Sequence, residues 1–231
     1  HLPIELQEVD DYLLNKVITS FYDTNVTMRA MYLEMVQYLA KDILGFDVIF
    51  QDTLNIRFHF PVPLLDKYRA ETGLYLGHHS DTMLGHPFEE LNCWVPFTES
   101  NGSAALMLSD RDNGCSAMSQ LSEEFDHDAE IYFKEGRNKF FEKLMADKEY
   151  YNLVVDHTQP VDMSYGELVM FDPRCLHGPM ESVGNKTRVS MDFRLIPVHF
   201  YEKMTREYYA GRSGRKFGQG DVFYKDTAFN L

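Results

Sequence analysis

Basic residues are scarce in this chain: 22 Lys and Arg stand against 36 Asp and Glu, a formal net charge of −14. That balance argues against a nucleic-acid backbone or an anionic membrane as the main partner, because both are held through positive charge. Cysteine is scarcer still. Cys93, Cys115 and Cys175 are odd in number and show no Cys-x-x-Cys spacing, which suits a reducing compartment, so a cytoplasmic location is expected. No apolar run reaches the ~18 residues of a membrane span, and the first residues do not read as a signal peptide. Internal repeats and long low-complexity stretches are absent, and tryptophan occurs once, as Trp94. What the chain does have is apolar bulk, with 44% hydrophobic and 14% aromatic residues in 231. That is enough for one domain with a substantial core.

Against this background one constellation carries chemistry. His79-Ser80-Asp81 is followed 96 residues after Asp81 by His177, at the end of an apolar strand, and eleven residues later by Arg188-Val189-Ser190. Two imidazoles and one carboxylate form the 2-His-1-carboxylate facial triad that holds Fe(II) on one side and leaves positions open for a co-substrate and O₂. Arg188 then supplies a planar fork able to clamp a carboxylate on a metal-chelating ligand. Read as a strand, the segment from Leu74 to Asp81 projects His79 and Asp81 from one face. The strand-like stretch from Thr187 to Val198 likewise puts Arg188, Ser190, Asp192 and Arg194 on one face, either inside a polar cavity or toward solvent.

The remaining chain reads as support. Residues 4 to 18 and 25 to 43 carry apolar positions at helical spacing, among them Met28, Met31, Leu33, Met35, Val36, Leu39 and Ile43, with Thr24 or Asn25 as cap and Gly45 as terminator. Strand signals follow at 47–50, 54–60, 74–81, 91–98, 104–108, 152–156 and 167–171. Asn55, Arg57 and His59 share one face of their strand. The charged stretch 116–151 reads as a helical insertion over the barrel, with a cavity lid and a solvated outer helix as its two readings. Residues 211–231 form a Gly-rich basic tail without the context of a phosphate loop, expected to be flexible, with folding over a cavity mouth to offer Arg or Lys to an anionic substrate as the second reading. His78, next to the first ligand, is expected to be structural. His86, His127, His157 and His199 are expected at the surface or at caps, and Cys175 as a small buried hydrophobe.

The order His-x-Asp, distal His after a Gly-Glu-apolar-Phe strand, then Arg-x-Ser resembles the Fe(II)/2-oxoglutarate-dependent oxygenases. The stretches 85–98 and 187–194 further resemble the phytanoyl-CoA and streptomycin-biosynthesis subgroup, and the similarity runs from Leu54 to Val198. The resemblance implies an α+β chain of one domain (1–231). Its core would be a double-stranded β-helix, a cupin-like jelly roll, with helical support from 1–50. It implies an oxidoreductase, a dioxygenase using Fe(II), 2-oxoglutarate and O₂, with His79, Asp81 and His177 as metal ligands. Arg188 and Ser190, with Asn92 and Trp94, would hold 2-oxoglutarate. The face of Arg57 and His59 is read either as an ordinary solvent-facing row or as cavity lining, and on the second reading they would contact substrate together with Arg194. Asp81 stands where related halogenases carry a small residue, so hydroxylation or a related C–H oxidation of a small polar metabolite is expected.

Three rivals remain in view. A peptide or protein hydroxylase on the same scaffold is the runner-up. A cupin-like metal-binding or sensing protein would not need Arg188. A zinc or manganese hydrolase or isomerase would carry a further His near the first pair, and none is spaced for it.

Overall fold

The computed structural model describes residues 21, 24–52, 54–61, 77–84, 86, 88–125, 148–180, 182–201 and 224–226. Helix α1 (Val26–Tyr38) starts at Asn25, whose side chain accepts the Met28 N–H at 3.1 Å, and passes into a π-helical turn over Leu39–Leu44. Gly45 closes it at φ 74°, a left-handed conformation that glycine adopts without penalty. Tyr32, Val36, Leu39 and Ala40 are buried, whereas Met31 and Ile43, expected in the buried stripe, are exposed. The widened turn after Tyr38 shifts the helical phase and carries Ile43 out of the buried stripe, whereas Met31, in the regular part of the helix, lies off the face that buries Tyr32 and Val36.

The strands are β1 (Val48–Gln51), β2 (Asn55–His59), β3 (Leu91–Pro96), β4 (Leu106–Leu108), β5 (Gln159–Val161), β6 (Val169–Phe171), β7 (His177–Pro179), β8 (Arg188–Pro197) and β9 (Tyr224–Asp226). They form two antiparallel sheets. The larger has the order β6-β3-β8-β1-β9 with β2 also on β8, and the smaller has the order β5-β4-β7. Ten-residue β8 is the hub, pairing with β3 over Ser190–Leu195 on one side and with β2 and then β1 on the other. Two longer helices, α2 (Arg111–Phe125) and α3 (Lys148–Asp156), flank the undescribed span 126–147, and a short α4 (Val198–Tyr201) follows β8.

Alternation along β8 separates two environments. Val189, Met191, Phe193 and Leu195 join Leu54, Ile56, Cys93, Val95 and the α1 residues in the main core, while Arg188, Ser190 and Arg194 are buried on the opposite face. The polar face is therefore an interior surface. The two sheets meet through a second apolar cluster, in which Trp94, Val169 and Phe171 of the larger pack with Leu106, Val161 and Met163 beside the smaller.

Four expectations are corrected. His79 makes an isolated bridge and Asp81 opens a 3₁₀ turn (Asp81–Leu84), so the pair does not lie on a continuous strand. Residues 152–156 are the end of α3, and the strand comes later, at β5. Residues 102–104 form a 3₁₀ turn before β4. Part of the tail is ordered pairing: β9 runs antiparallel to β1, with Phe50 opposite Lys225. The helix over 4–18, His127, the rest of the tail and the middle of the insertion lie outside the described residues.

Candidate metal centre

The two candidate imidazoles are placed by backbone. His79 N–H donates to the His177 carbonyl at 2.9 Å and His177 N–H to the His79 carbonyl at 2.7 Å, the doubly bonded antiparallel pair that sends both side chains to one face. Gly178 is what lets the two segments approach: a Cβ there would lie 2.9 Å from the Cα of His78, so only glycine fits. On its far side His177 is anchored through β4, where Ser109 N–H donates to the Leu176 carbonyl and Leu176 N–H to Ser109 Oγ, each at 2.8 Å. Between β6 and His177 the chain turns at Asp172-Pro173-Arg174, where Cys175 N–H donates to the Asp172 carbonyl.

Each ring is also turned the same way. His79 Nδ1 lies 2.7 Å from the Gly77 carbonyl and His177 Nδ1 3.1 Å from the Cys175 carbonyl, in both cases two residues upstream. A carbonyl only accepts, so Nδ1 carries a proton, and it is Nε2 that offers the lone pair when the ring acts as a metal ligand. Both Nε2 atoms lie 3.5 Å from the same oxygen, Asp81 Oδ1. The ligand atoms of His79, Asp81 and His177 all fall within 4.8 Å of one another. Burial lowers the His79 pKa, which keeps the ring neutral and available as a donor.

Burial alone would push the Asp81 carboxyl up. The Arg194 guanidinium, with smaller help from His86 and the two histidine contacts, overrides it and holds Asp81 well below the usual carboxylate range. Arg194 Nη2 donates to Asp81 Oδ2 at 2.8 Å and Nε at 3.2 Å. The same guanidinium bonds Asp192 through Nη1 and lies 3.6 Å from Glu90 Oε1. Arg194, expected at the substrate, is thus engaged with three carboxylates. Arg57, also expected there, donates to Asp192 Oδ2 at 2.9 Å, and Asn55 Nδ2 donates to Oδ1 at 3.0 Å. His59 is buried on the same face of β2.

The residues expected to hold a second ligand share this interior. Arg188 is buried with its guanidinium 5.1 Å from the centroid of the Trp94 ring, a cation–π arrangement. Both amide atoms of Asn92 and the hydroxyl of Ser190 are buried without a hydrogen-bond partner among the described residues. Buried polar groups are almost always paired, so such atoms point to something that pairs with them. Arg188 and Arg194 are six residues apart, roughly 20 Å of strand, so they do not serve one carboxylate.

Sequence reasoning missed Glu90 and misjudged His86. His86 Nδ1 is bonded to Glu90 Oε1 at 2.8 Å and Glu90 is 1% exposed, so His86 belongs to the wall behind Asp81. The available signal was their spacing of four residues. His78 is buried against Gly178 with its pKa lowered to about 4 by burial first and by the neighbouring histidines second. Cys175 is buried and its thiol is pushed up to about 11, mainly by burial. His199 is exposed, edge-on to Phe46.

The chain belongs to the phytanoyl-CoA dioxygenase family, whose model matches residues 9–190. Among individual proteins it is similar to the streptomycin biosynthesis protein StrG of Streptomyces griseus, 25% identical over 130 residues. That stretch is 56% of this chain and 41% of StrG, so the chain spans about two fifths of that relative's length. Among solved structures it overlaps the nickel complex of the non-heme monooxygenase ThoJ, with 13% identity, a TM-score of 0.37, and 72% of this chain against 49% of that one. It also overlaps SnoN, the non-heme alpha-ketoglutarate-dependent epimerase from nogalamycin biosynthesis, with 13% identity, a TM-score of 0.44, and 93% of this chain against 74% of that one. Among the described residues no helix is long and apolar enough to cross a membrane.

Proposed function

We propose that this protein oxidises a small polar metabolite, by hydroxylation or a related C–H oxidation, using Fe(II), 2-oxoglutarate and O₂ on a double-stranded β-helix. The observation that carries the reading is the convergence of two carbonyl-oriented imidazole Nε2 atoms on one carboxylate oxygen of Asp81. Two imidazole nitrogens and one carboxylate oxygen suit Fe(II), and three protein donors leave positions for a chelating co-substrate and O₂. Bound there, the metal supplies the oxidising chemistry, coupled to loss of CO₂ from 2-oxoglutarate to give succinate.

The chain's own residues bind, orient and keep the site dry. His79, Asp81 and His177 hold the metal. Arg188, buried and braced on Trp94, pairs with the far carboxylate of 2-oxoglutarate, where a charge-assisted fork replaces its lost hydration. Ser190 and Asn92 supply the hydroxyl and amide that have no hydrogen-bond partner among the described residues. A small polar substrate, not a peptide, is favoured because His79, Asp81, Arg188, Ser190 and Asn92 are all buried.

The test is succinate release with Fe(II), ascorbate and 2-oxoglutarate across a panel of amino acids, sugars, cyclitols and peptides. Succinate formation coupled to oxidation of one small metabolite is the expected result. Release that depends on a peptide would move the substrate to the runner-up class, and the absence of any 2-oxoglutarate turnover would overturn the reading.

A further inference from the structure

We propose that Arg194 is a positioning residue of the metal centre, occupying one oxygen of Asp81 so that the carboxylate offers only its other oxygen to the metal. The inference rests on the reading of His79, Asp81 and His177 as donors. The two oxygens of Asp81 live in different surroundings. Oδ1 lies 3.5 Å from Nε2 of both histidines, whereas Oδ2 receives two N–H groups of Arg194, at 2.8 Å and 3.2 Å. A carboxylate oxygen has about two lone-pair directions. Arg194 fills those of Oδ2.

The consequence is a count of open positions. Three single-atom donors on a six-coordinate metal leave about three positions, which two oxygens of 2-oxoglutarate and O₂ use completely. A two-oxygen Asp81 would take one of them. Rotation of the Asp81 carboxylate is the movement that would cause this, and Arg194 opposes it from a position that is itself braced. Its Nη1 is tied to Asp192, which is held by Arg57 at 2.9 Å and Asn55 at 3.0 Å, and its Nε faces Glu90, which is held by His86 at 2.8 Å. All of these side chains project from β2, β8 or the segment leading into β3, so the brace is built on the larger sheet while His177 comes from the smaller one.

The same geometry decides what the group Asp81, His86 and Glu90 does. Their ligand atoms are close enough to hold an ion. The Arg194 guanidinium, however, already lies against both Asp81 and Glu90 and supplies the positive charge a second ion would bring. The centre is therefore built for one metal, with a fixed organic cation in place of a second.

Water-proton relaxation of the Mn(II)-loaded full chain tests the assignment by counting exchangeable waters on the metal. The wild type is expected to show about three, Arg194→Gln about two, and Arg194→Lys a return toward the wild-type value, since lysine keeps at Oδ2 the cationic donor that the neutral glutamine amide lacks. With the lost position, 2-oxoglutarate should bind Mn(II)-loaded Arg194→Gln about tenfold or more weakly. An Arg194→Gln protein with the wild-type water count and wild-type 2-oxoglutarate affinity would overturn the proposal. Should Arg194→Gln not fold, the infrared difference spectrum of the wild type on adding Mn(II) decides alone. The wide carboxylate splitting of one-oxygen ligation supports the assignment and the narrow splitting of two-oxygen ligation overturns it. Failure of the wild type to bind Mn(II) at all would count against the donor set itself, a different result from either.

Discussion

The two faces of β8 are made from the same ten residues and obey opposite rules. On one face Val189, Met191, Phe193 and Leu195 pack against α1 and the apolar faces of β2 and β3, where free energy comes from area removed from water and any residue of the right volume serves. On the other, Arg188, Ser190 and Arg194 are equally buried, and each charged or polar atom needs a named partner at a named distance. The difference teaches where function resides. The apolar face is degenerate in sequence and fixes the strand's position, and the polar face spends that rigidity on holding groups that would not stay buried otherwise.

Substitutions of the polar-face groups that meet the metal or the co-substrate should therefore change binding, and those on the apolar face should change stability. The largest effect is expected from His79→Ala, Asp81→Ala or His177→Ala, each of which should abolish succinate release and weaken Fe(II) binding, because a three-donor site has none to spare. Near-normal turnover with unchanged iron content in any two of them would break the assignment. Phe193→Ala, on the other side of the same strand, should cost ~3–5 kcal/mol in chemical denaturation while the folded fraction keeps its Fe(II) affinity. A coupled loss of both would show that the faces are not separable.

Arg188→Met should weaken 2-oxoglutarate binding to the iron-loaded protein by roughly ten- to a hundredfold, the value of a charge-assisted contact of ~1.5–3 kcal/mol, with iron still bound. Isothermal titration measures it, and an unchanged constant would remove Arg188 from the co-substrate. Asn92→Leu sharpens the contrast further. Its amide atoms have no partner among the described residues, so an apolar replacement of similar size should leave thermal stability unchanged or raised while 2-oxoglutarate or substrate binds more weakly. A lower Tm with unchanged binding would mean that Asn92 serves the fold.

The smallest effect concerns pH. Burial pushes both carboxyls up, but Arg194 against Asp81, and Arg57 with Arg194 against Asp192, more than reverse it, so both sit below their ordinary value near ~3.9. A carboxyl depressed in the folded state adds stability that is complete above its unfolded pKa and is lost as pH falls through the folded one. The Tm of the metal-free protein should therefore decline below about pH 4, and Asp192→Asn should flatten part of that decline. An identical acid profile for the variant would mean that Asp192 gains nothing from its two arginines.

The sequence was most legible where chemistry is rare. His79, Asp81 and His177 stood out because few residue types ligate metals, and the structure gathers their ligand atoms within 4.8 Å of one another; strict alternation placed Arg188, Ser190, Asp192 and Arg194 on one face without any knowledge of pairing. What it hid was the partner of each group. His86 looked like a surface residue because nothing local marks Glu90 as buried, and Arg194 looked like a substrate contact because an arginine's choice among carboxylates is decided by tertiary distance. The π turn after Tyr38 and the 3₁₀ turn at Asp81 were illegible for a related reason. Both are local departures imposed by packing on a pattern that propensity reads as regular.

The most direct measurement is anaerobic titration of the Fe(II)-loaded protein with 2-oxoglutarate, followed by the visible charge-transfer absorption that arises when the 2-oxo acid chelates Fe(II). The band should form in the wild type at one equivalent, need roughly ten- to a hundredfold more 2-oxoglutarate in Arg188→Met, and be lost in His177→Ala. An iron-loaded wild type that never develops the band, or a His177→Ala protein that develops it unchanged, would contradict the metal and co-substrate assignment.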